Sequence, residues 1–401
     1  MFRAEYIDPN KLVNDNHLLD LFKLVEKHGG VLRFVGGAVR DAIAGYKRAD
    51  IDLVTDMSPA EFSEMCDEEG IKCVPIGIQF FSLGVFIHES FFKVTCLSSD
   101  DDNNQEEWKK DAAKRDLTIN AVYADEKGNV FDYYNGVEDL QNGFIKFIGK
   151  PIKCIENNPI RIMRFFRFCA MFGKKIDKKS LKCCIENKSL LHDISQEKIK
   201  EELFKIIMAP YSVRTLEVLF KYGVLDFMIS PPKDVSRLEK LDKIIKETNL
   251  DKDIIRRLFI LFEPTAKRAD RLSSIFKLKK EQKEYFHKLC CAKIHPKDFK
   301  NNVSINKILY AYGKDICRDV FLSFNLDNSN SDEIKQILST LQETKLSPFP
   351  LTGKDLLKIG ADKNNIGLHL EILKQKWFES GCLLSKKDLL NIFSKDFKYT
   401  V

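Results

Sequence analysis

The sequence predicts an α+β fold that gives way, near residue 150, to helices alone. Three observations carry this. The first 150 residues contain short apolar or alternating runs separated by turn residues, which is the pattern of strands. From Pro159 onward the apolar residues recur at helical spacing, and no strand signal of comparable strength returns. The chain has 401 residues, more than one ordinary domain needs, so two or more cores are expected.

Taken in order, strands are predicted at VLRFVGG, IDLVT, IQFFSLGVFI, FFKVTCL, INAVYAD, VFDYY and FIKFIG, with turns at HES, EKGN and around Gly136 and Gly143. Helices are predicted at Ala38 to Ala44 and Pro59 to Glu69. The second part opens with PIRIMRFFRFCAMFG, read as a helix with Asn158 as its N-cap and Pro159 as its first residue. A helix after Lys178, the segment ISQEKIKEELFKIIMA and a series of lysine-rich amphipathic helices follow, broken near Asn325 by the polar loop NLDNSNSDE.

Composition removes several chemistries. The eleven cysteines form no C-x-x-C pair and have no histidine cluster beside them, so neither a zinc site nor a disulfide framework is indicated. They read as thiols of a reducing cytosol. The start, MFRAEYIDPNK, has no apolar signal core, and no run approaches the roughly 18 apolar residues of a membrane span, so a soluble cytoplasmic protein is expected. The seven histidines are scattered, and the His192-Asp193 pair has no partners at metal-ligand spacing. Net charge is +6, yet between Lys267 and Lys300 eleven Lys or Arg face only Asp270, Glu281, Glu284 and Asp298. That surplus of seven, centred on Lys277, Lys279, Lys280 and Lys283, suits either a solvated helix face or a surface that follows a phosphate backbone.

The stretch FVGGAVRDAIAGYKRADIDLVT, from Phe34 to Thr55, carries the densest chemistry. Gly36 and Gly37 let backbone approach a ligand, and the helix that follows presents unpaired N–H groups to an anion. Arg40 can reach the same anion as a fork donor. Asp50 and Asp52 flank Ile51 on a strand, so a period of two sends both carboxylates to one face while Ile51 and Leu53 enter the core. Such a pair collects Mg²⁺. A triphosphate beside it is the equipment of in-line phosphoryl transfer.

With GGAVRD and DID come KRDLTINA at Lys114 to Ala121, FDYYNGVEDLQNG at Phe131 to Gly143 and NPIRIMRFFRF at Asn158 to Phe168. In this order the chain resembles the class II tRNA nucleotidyltransferases, the CCA-adding enzymes, and the related bacterial poly(A) polymerases. ISQEKIKEEL and, more loosely, PLTGKDLLKIG extend the resemblance along most of the chain. It implies a polymerase-β-like nucleotidyltransferase head at 1–150, an all-α neck with a base-reading helix at 151–210, and an all-α, tRNA-binding body and tail at 211–401. It further implies template-free addition of CCA to a tRNA 3′ end from CTP and ATP, with Mg²⁺ as cofactor and no obligate protein partner. Carried over by position, Gly37 and Arg40 hold the triphosphate, Asp50 and Asp52 the metals, and Arg115 the nucleotide, with Asp116 and Asn120 near its ribose. Asn158 and Arg161 then stand where the family reads the base, while Arg164 and Arg167 support the phosphates.

Three departures bear on base choice. Asn157-Asn158 replaces the family's Glu-Asp, Lys114 replaces an arginine, and only SSDDDNNQEEWKK separates Leu97 from Asp111, where CCA-adding members have a longer segment tied to the switch from C to A. An asparagine carbonyl can accept from an exocyclic amine, though without a charge. Alternatives are therefore a CC-adding enzyme, a poly(A) polymerase and an inactive RNA-binding relative. The last has no physical need of Asp50, Asp52, Arg40 and Arg115 together.

Overall fold

A computed structural model gives the structure of the chain and describes residues 6–13, 16–46, 51–76, 81–87, 89–97, 104–263, 265–328 and 330–396. The chain divides into two units, Met1–Met228 and Ile229–Val401.

The first unit contains α1 (Asn16–Lys27), β1 (Leu32–Val35), α2 (Gly37–Ala44), β2 (Asp52–Thr55), α3 (Pro59–Glu68), β3 (Lys72–Pro75), β4 (Ser82–Ile87) and β5 (Ser90–Cys96). There follow α4 (Asn104–Lys114), β6 (Val122–Ala124), β7 (Val130–Asp132), α5 (Gly136–Asn142), β8 (Phe144–Ile145), α6 (Pro151–Asn157), α7 (Arg161–Phe172), β9 (Lys175–Ile176), α8 (Lys178–Glu186), α9 (Gln196–Met208) and α10 (Ser212–Lys221). Seven strands form one sheet in the order β3-β4-β5-β2-β1-β6-β7. All neighbours run antiparallel except β2 and β5, and β8 pairs β9 in a separate parallel ribbon.

Alternation along these strands makes two faces. Phe34, Leu53, Val85, Phe92 and Val94 bury against Leu18, Leu21 and Phe22 of α1 and Phe62 and Met65 of α3. On the other face Val35, Val54 and Tyr123 pack with Trp108 and Ala112 of α4. α3 starts where the sequence says it should, with Ser58 and Glu61 forming a capping box around Pro59.

Several elements differ from expectation. The helix expected from Pro159 begins at Arg161, and Asn158 is not its N-cap but the residue that closes α6. Proline disfavours helical backbone in the residue before it, and Asn158 accordingly sits extended at φ −158°, ψ 98°. The turn expected at Gly136 is a helix, because Asp132 accepts from the N–H groups of Gly136 and Val137 and opens α5. A Cβ on Gly136 would lie 2.1 Å from the Thr118 carbonyl oxygen, so glycine alone fits there. Strands β3 and β9 and helices α1, α4 and α6 go beyond the expectation. Among the described side chains of α4, Trp108 and Ala112, four apart, mark the buried side of a largely hydrophilic run.

The second unit is helical among its described residues, as its periodicity predicts: α11 (Arg237–Thr248), α12 (Ile254–Phe262), α13 (Ala266–Ile275), α14 (Lys280–Cys291), α15 (Asn302–Tyr312), α16 (Lys314–Phe324), α17 (Ser331–Glu343), α18 (Gly353–Lys358), α19 (Ile366–Glu379) and α20 (Lys386–Asp396). Trp377, Leu373, Leu356 and Phe393 centre one of its cores. α12 and α16 are locked by buried Arg256, whose Nε donates to Asp319 at 2.8 Å while the Tyr285 hydroxyl donates to the other carboxylate oxygen at 2.8 Å. Among the described residues no helix is long and apolar enough to cross a membrane.

Candidate active site

The Gly-Gly turn builds one corner of the site. Gly36 takes φ 66°, in the left-handed region that favours glycine, and caps α2 without a side chain. The first amides of α2 have no carbonyl a turn behind them and remain available to an anion. Arg40, one turn in, is buried, with Nη1 donating to Asn120 Oδ1 at 2.6 Å and Nη2 paired with Asp41 at 2.7 Å. Its guanidinium carbon lies 4.7 Å from the Phe168 ring centroid. Burial lowers the Arg40 pKa, with Asp41 opposing the shift.

Asp116 joins this corner to α7. Its Oδ1 accepts from Asn120 Nδ2 at 2.9 Å and from the Leu117 N–H at 2.8 Å, and its Oδ2 accepts from Arg164 Nε at 2.5 Å. Burial by itself would raise this carboxyl, but Arg164, the Asn120 amide and the Leu117 N–H hold it below the usual carboxylate range. A continuous chain thus runs Arg40–Asn120–Asp116–Arg164. Farther along α7, Arg167 pairs with Glu202 of α9 at 2.9 Å.

Arg115 is fixed from the opposite side by α4. Asp111 accepts from its Nε at 3.2 Å and its Nη2 at 3.0 Å, and the Tyr123 hydroxyl donates to the same carboxylate oxygen at 2.5 Å. Burial would lower the Arg115 pKa, yet Asp111 and Tyr123 leave it raised. Trp108 anchors α4, and Arg33 lies between its ring and that of Phe131, at 4.1 and 3.6 Å from their centroids. The last turn of α4 then meets α7: the Lys114 carbonyl accepts from Arg161 Nη2 at 2.8 Å, and the Cys154 carbonyl from Nη1 at 3.3 Å.

These groups converge on a cavity of about 620 Å³. Gly36, Gly37, Arg40, Asp52, Arg115, Asp116, Asn120, Asn158, Arg161, Arg164 and Arg167 all line it, so every described residue that the motifs single out in the first unit reaches one place. Asp50 lies outside the described residues. Seven cations, Arg40, Lys93, Lys114, Arg115, Arg161, Arg164 and Arg167, face the three carboxylates Asp52, Asp111 and Asp116. That surplus suits a triphosphate. Asp52, at the start of β2, is half exposed, with the Lys93 ammonium 3.9 Å away across the β2–β5 ladder. Among the described residues no three His, Cys, Asp or Glu stand together as a metal cage. Asp52, a hard carboxylate opening on such a cavity, fits an oxygen-seeking ion that takes its other ligands from phosphate and water, as Mg²⁺ does.

Sequence reasoning missed Lys93, Thr95, Asp111 and Phe168, which also line the cavity. The signals were there: Lys93 and Thr95 alternate with buried Phe92, Val94 and Cys96, and Asp111 precedes Arg115 by one helical turn. Lys277, Lys279, Lys280 and Lys283 are exposed around the start of α14 in the second unit, away from the residues that form the cavity in sequence and in unit.

A sheet of this order, with a phosphate-suited cavity on one face and a helical arm adding arginines to it, defines a nucleotidyltransferase with a polymerase-β-like head. Residues 32–146 match the Poly A polymerase head domain, and residues 173–233 match the probable RNA and SrmB-binding site of polymerase A. The human mitochondrial CCA tRNA nucleotidyltransferase 1 is 30% identical over 94% of this chain and 90% of its own length. The CCA-adding enzyme of Streptococcus gordonii is 29% identical over 56% of this chain. The chain belongs to this family, the class II CCA-adding enzymes. Its fold is shared with the Bacillus stearothermophilus CCA-adding enzyme in complex with CTP, at a TM-score of 0.70, 19% identity and coverage of 96% and 98% of the two chains. The Thermotoga maritima CCA-adding enzyme complexed with tRNA gives a TM-score of 0.66 at 19% identity, covering 97% of this chain and 98% of that one.

Proposed function

We propose that the protein finishes tRNA 3′ ends by adding C, C and A from CTP and ATP without a template. The observation that carries this is the convergence of GGAVRD, KRDLTINA and NPIRIMRFFRF, distant in sequence, on one cation-rich cavity that also holds Asp52. Arg40 and Arg115 bind the triphosphate, their guanidiniums preset by Asp41, Asn120, Asp111 and Tyr123, so little ordering remains when the nucleotide arrives. Arg164 supports the phosphates from α7. Asn158 and Arg161 read the base edge, and because Arg161 is held by two backbone carbonyls it keeps its direction beside an uncharged Asn158. Asp52, with Asp50, would hold Mg²⁺, which when bound neutralises phosphate charge and sharpens the attacking hydroxyl. We assign the same chemistry to residues 1–150 as a head, base reading to 151–210, and tRNA binding to 211–401.

The test is to sequence the products made from tRNA lacking its last three nucleotides, with all four nucleoside triphosphates present. Ends in CCA support the proposal. Homopolymeric A overturns it. Uniform CC ends would favour a second reading, which one observation supports: α4 takes up residues 104–114, leaving only 98–103 between Leu97 and that helix. Such a short connection leaves little chain to act as a lever.

The exposed lysines around α14 are assigned to the tRNA backbone, where affinity falls steeply with salt. Replacing Lys277, Lys279, Lys280 and Lys283 with Gln is expected to raise KM for tRNA, flatten its salt dependence and leave KM for CTP unchanged. An unaltered salt slope would mark them as a solvated face. The eleven free cysteines suit a reducing compartment, cytoplasm or mitochondrial matrix alike, and cytoplasm is the location we assign. Cell fractionation decides between it and a mitochondrial one.

A further inference from the structure

Strand alternation on the cavity side of the sheet continues beyond the cavity. Lys93 and Thr95 line it, and Phe91, two residues before Lys93 on β5, faces the same side. Phe86 stands opposite Phe91 in the β4–β5 ladder, and Lys72 opposite Phe86 in the β3–β4 ladder. The three are in contact as a row. The two ring centroids are 5.0 Å apart with the planes tilted by 56°, and the Lys72 ammonium lies 5.2 Å from the Phe86 centroid. Phe91 remains 53% exposed and Phe86 38%. The next row inward is Gly84, Lys93 and Asp52. A Cβ on Gly84 would lie 2.8 Å from Phe91 Cε2, so the Phe91 ring leans across Gly84 toward the row that carries the carboxylate.

We propose that the Phe86–Phe91 row, flanked by Lys72 and Lys93, seats the last unpaired nucleotides of the RNA that is being extended. The inference rests on the function proposed above. If nucleotide transfer occurs at Asp52, the terminal ribose hydroxyl lies there while guanidiniums of α2 and α7 hold the triphosphate. The strand behind that hydroxyl must leave along another wall. The β5–β4 wall offers two rings for base stacking and two ammoniums for phosphates, which is how unpaired RNA is held without regard to sequence. A protein partner would favour a larger apolar patch with charge kept away from its centre, and here lysine touches the ring itself. Gly84 gives the platform its shape: a side chain there would press on Phe91 and equally on Ile76, whose Cδ1 also lies 2.8 Å from the Cβ position.

The experiment first measures CTP addition by the unmodified protein to tRNA lacking its last three nucleotides; absence of any addition would overturn the proposed function, and this inference with it. Given addition, Phe91→Ala is expected to raise KM for tRNA by about tenfold, the size of one lost base stack, with KM for CTP unchanged. Phe91→Trp should keep KM near its original value. It should also show indole fluorescence quenched by a stem bearing a short unpaired 3′ extension and not by the same stem made blunt. Should Phe91→Ala fail to fold, Phe91→Leu removes the ring at similar volume and gives the same reading. An unchanged KM for tRNA overturns the proposal while leaving the function standing, as does equal quenching by the blunt stem. So does dimerisation abolished by Phe91→Ala with KM for tRNA unmoved, which would make a second copy the occupant.

Discussion

Asp52→Ala is expected to lower kcat by at least about a thousandfold, roughly 4 kcal/mol of barrier, while tRNA affinity stays within about twofold. The carboxylate is half exposed, and its Lys93 partner at 3.9 Å is equally open to water, so the pair contributes little to stability. The loss is therefore expected to be one of chemistry rather than of folding. Thermal melting should be unchanged, and filter binding of tRNA should separate affinity from turnover. Asp52→Asn keeps the shape and should be nearly as inactive, because a neutral amide is a poor ligand for Mg²⁺. Activity above a few per cent of the original in either variant would remove Asp52 from the reaction.

The largest effect on stability is expected at Asp116. Asp116→Ala leaves the Asn120 amide, the Leu117 N–H and Arg164 without their acceptor in a site that is 5% exposed. Breaking a buried pair of this kind costs about 3–5 kcal/mol. Arg164 can turn toward water, its side chain being 37% exposed, which places the expectation near the lower bound. Because the carboxyl is held below its ordinary 3.8, its contribution is complete well above that value and is lost progressively as the pH falls below it through the lower folded value. Asp116→Asn and the original protein should thus differ in urea midpoint at pH 7 and converge in strong acid. A constant gap down to pH 2 would contradict the charge-based account. In the pH 7 assay both variants should also raise KM for CTP, since Asn120 is what orients Arg40.

Part of the candidate site was legible in the GGAVRD and DID motifs through their combination at this spacing, and the rest only through the ordered resemblance to a family. Gly36 and Arg40 could be named from the residues themselves and Arg115, Asp116 and Arg164 through the resemblance, and the fold brings all five to one cavity. What escaped depends on pairing between distant segments. Lys93 matters through its register with Asp52, and no local pattern encodes which strand will lie beside β2. Helix α4 escaped because, among its described side chains, a charged surface hides a buried side of Trp108 and Ala112, and its stability comes from where Trp108 lands. Asn158 was misplaced by one rule outweighing another: asparagine before proline is a good N-cap signal, but proline's steric demand on the preceding residue set its backbone. The helical second unit was readable as helices from periodicity alone, whereas its buried Arg256–Asp319 pair was not.

The grip of Arg161 on the carbonyls of Lys114 and Cys154 has an evolutionary consequence. Main-chain oxygens are present whatever the residue, so drift at position 114 cannot remove this acceptor, although the Lys114 side chain is itself one of the cavity's cations. Length is a different matter. One residue inserted between Trp108 and Lys114 would turn the final carbonyl of α4 by about 100° around the helix axis and carry it off its donor. This hydrogen bond therefore constrains the count of residues along that turn rather than their side chains, which answer instead to Arg115 and to the cavity. At this contact, insertions and deletions are the changes that would release Arg161, whereas substitutions would leave its acceptors in place.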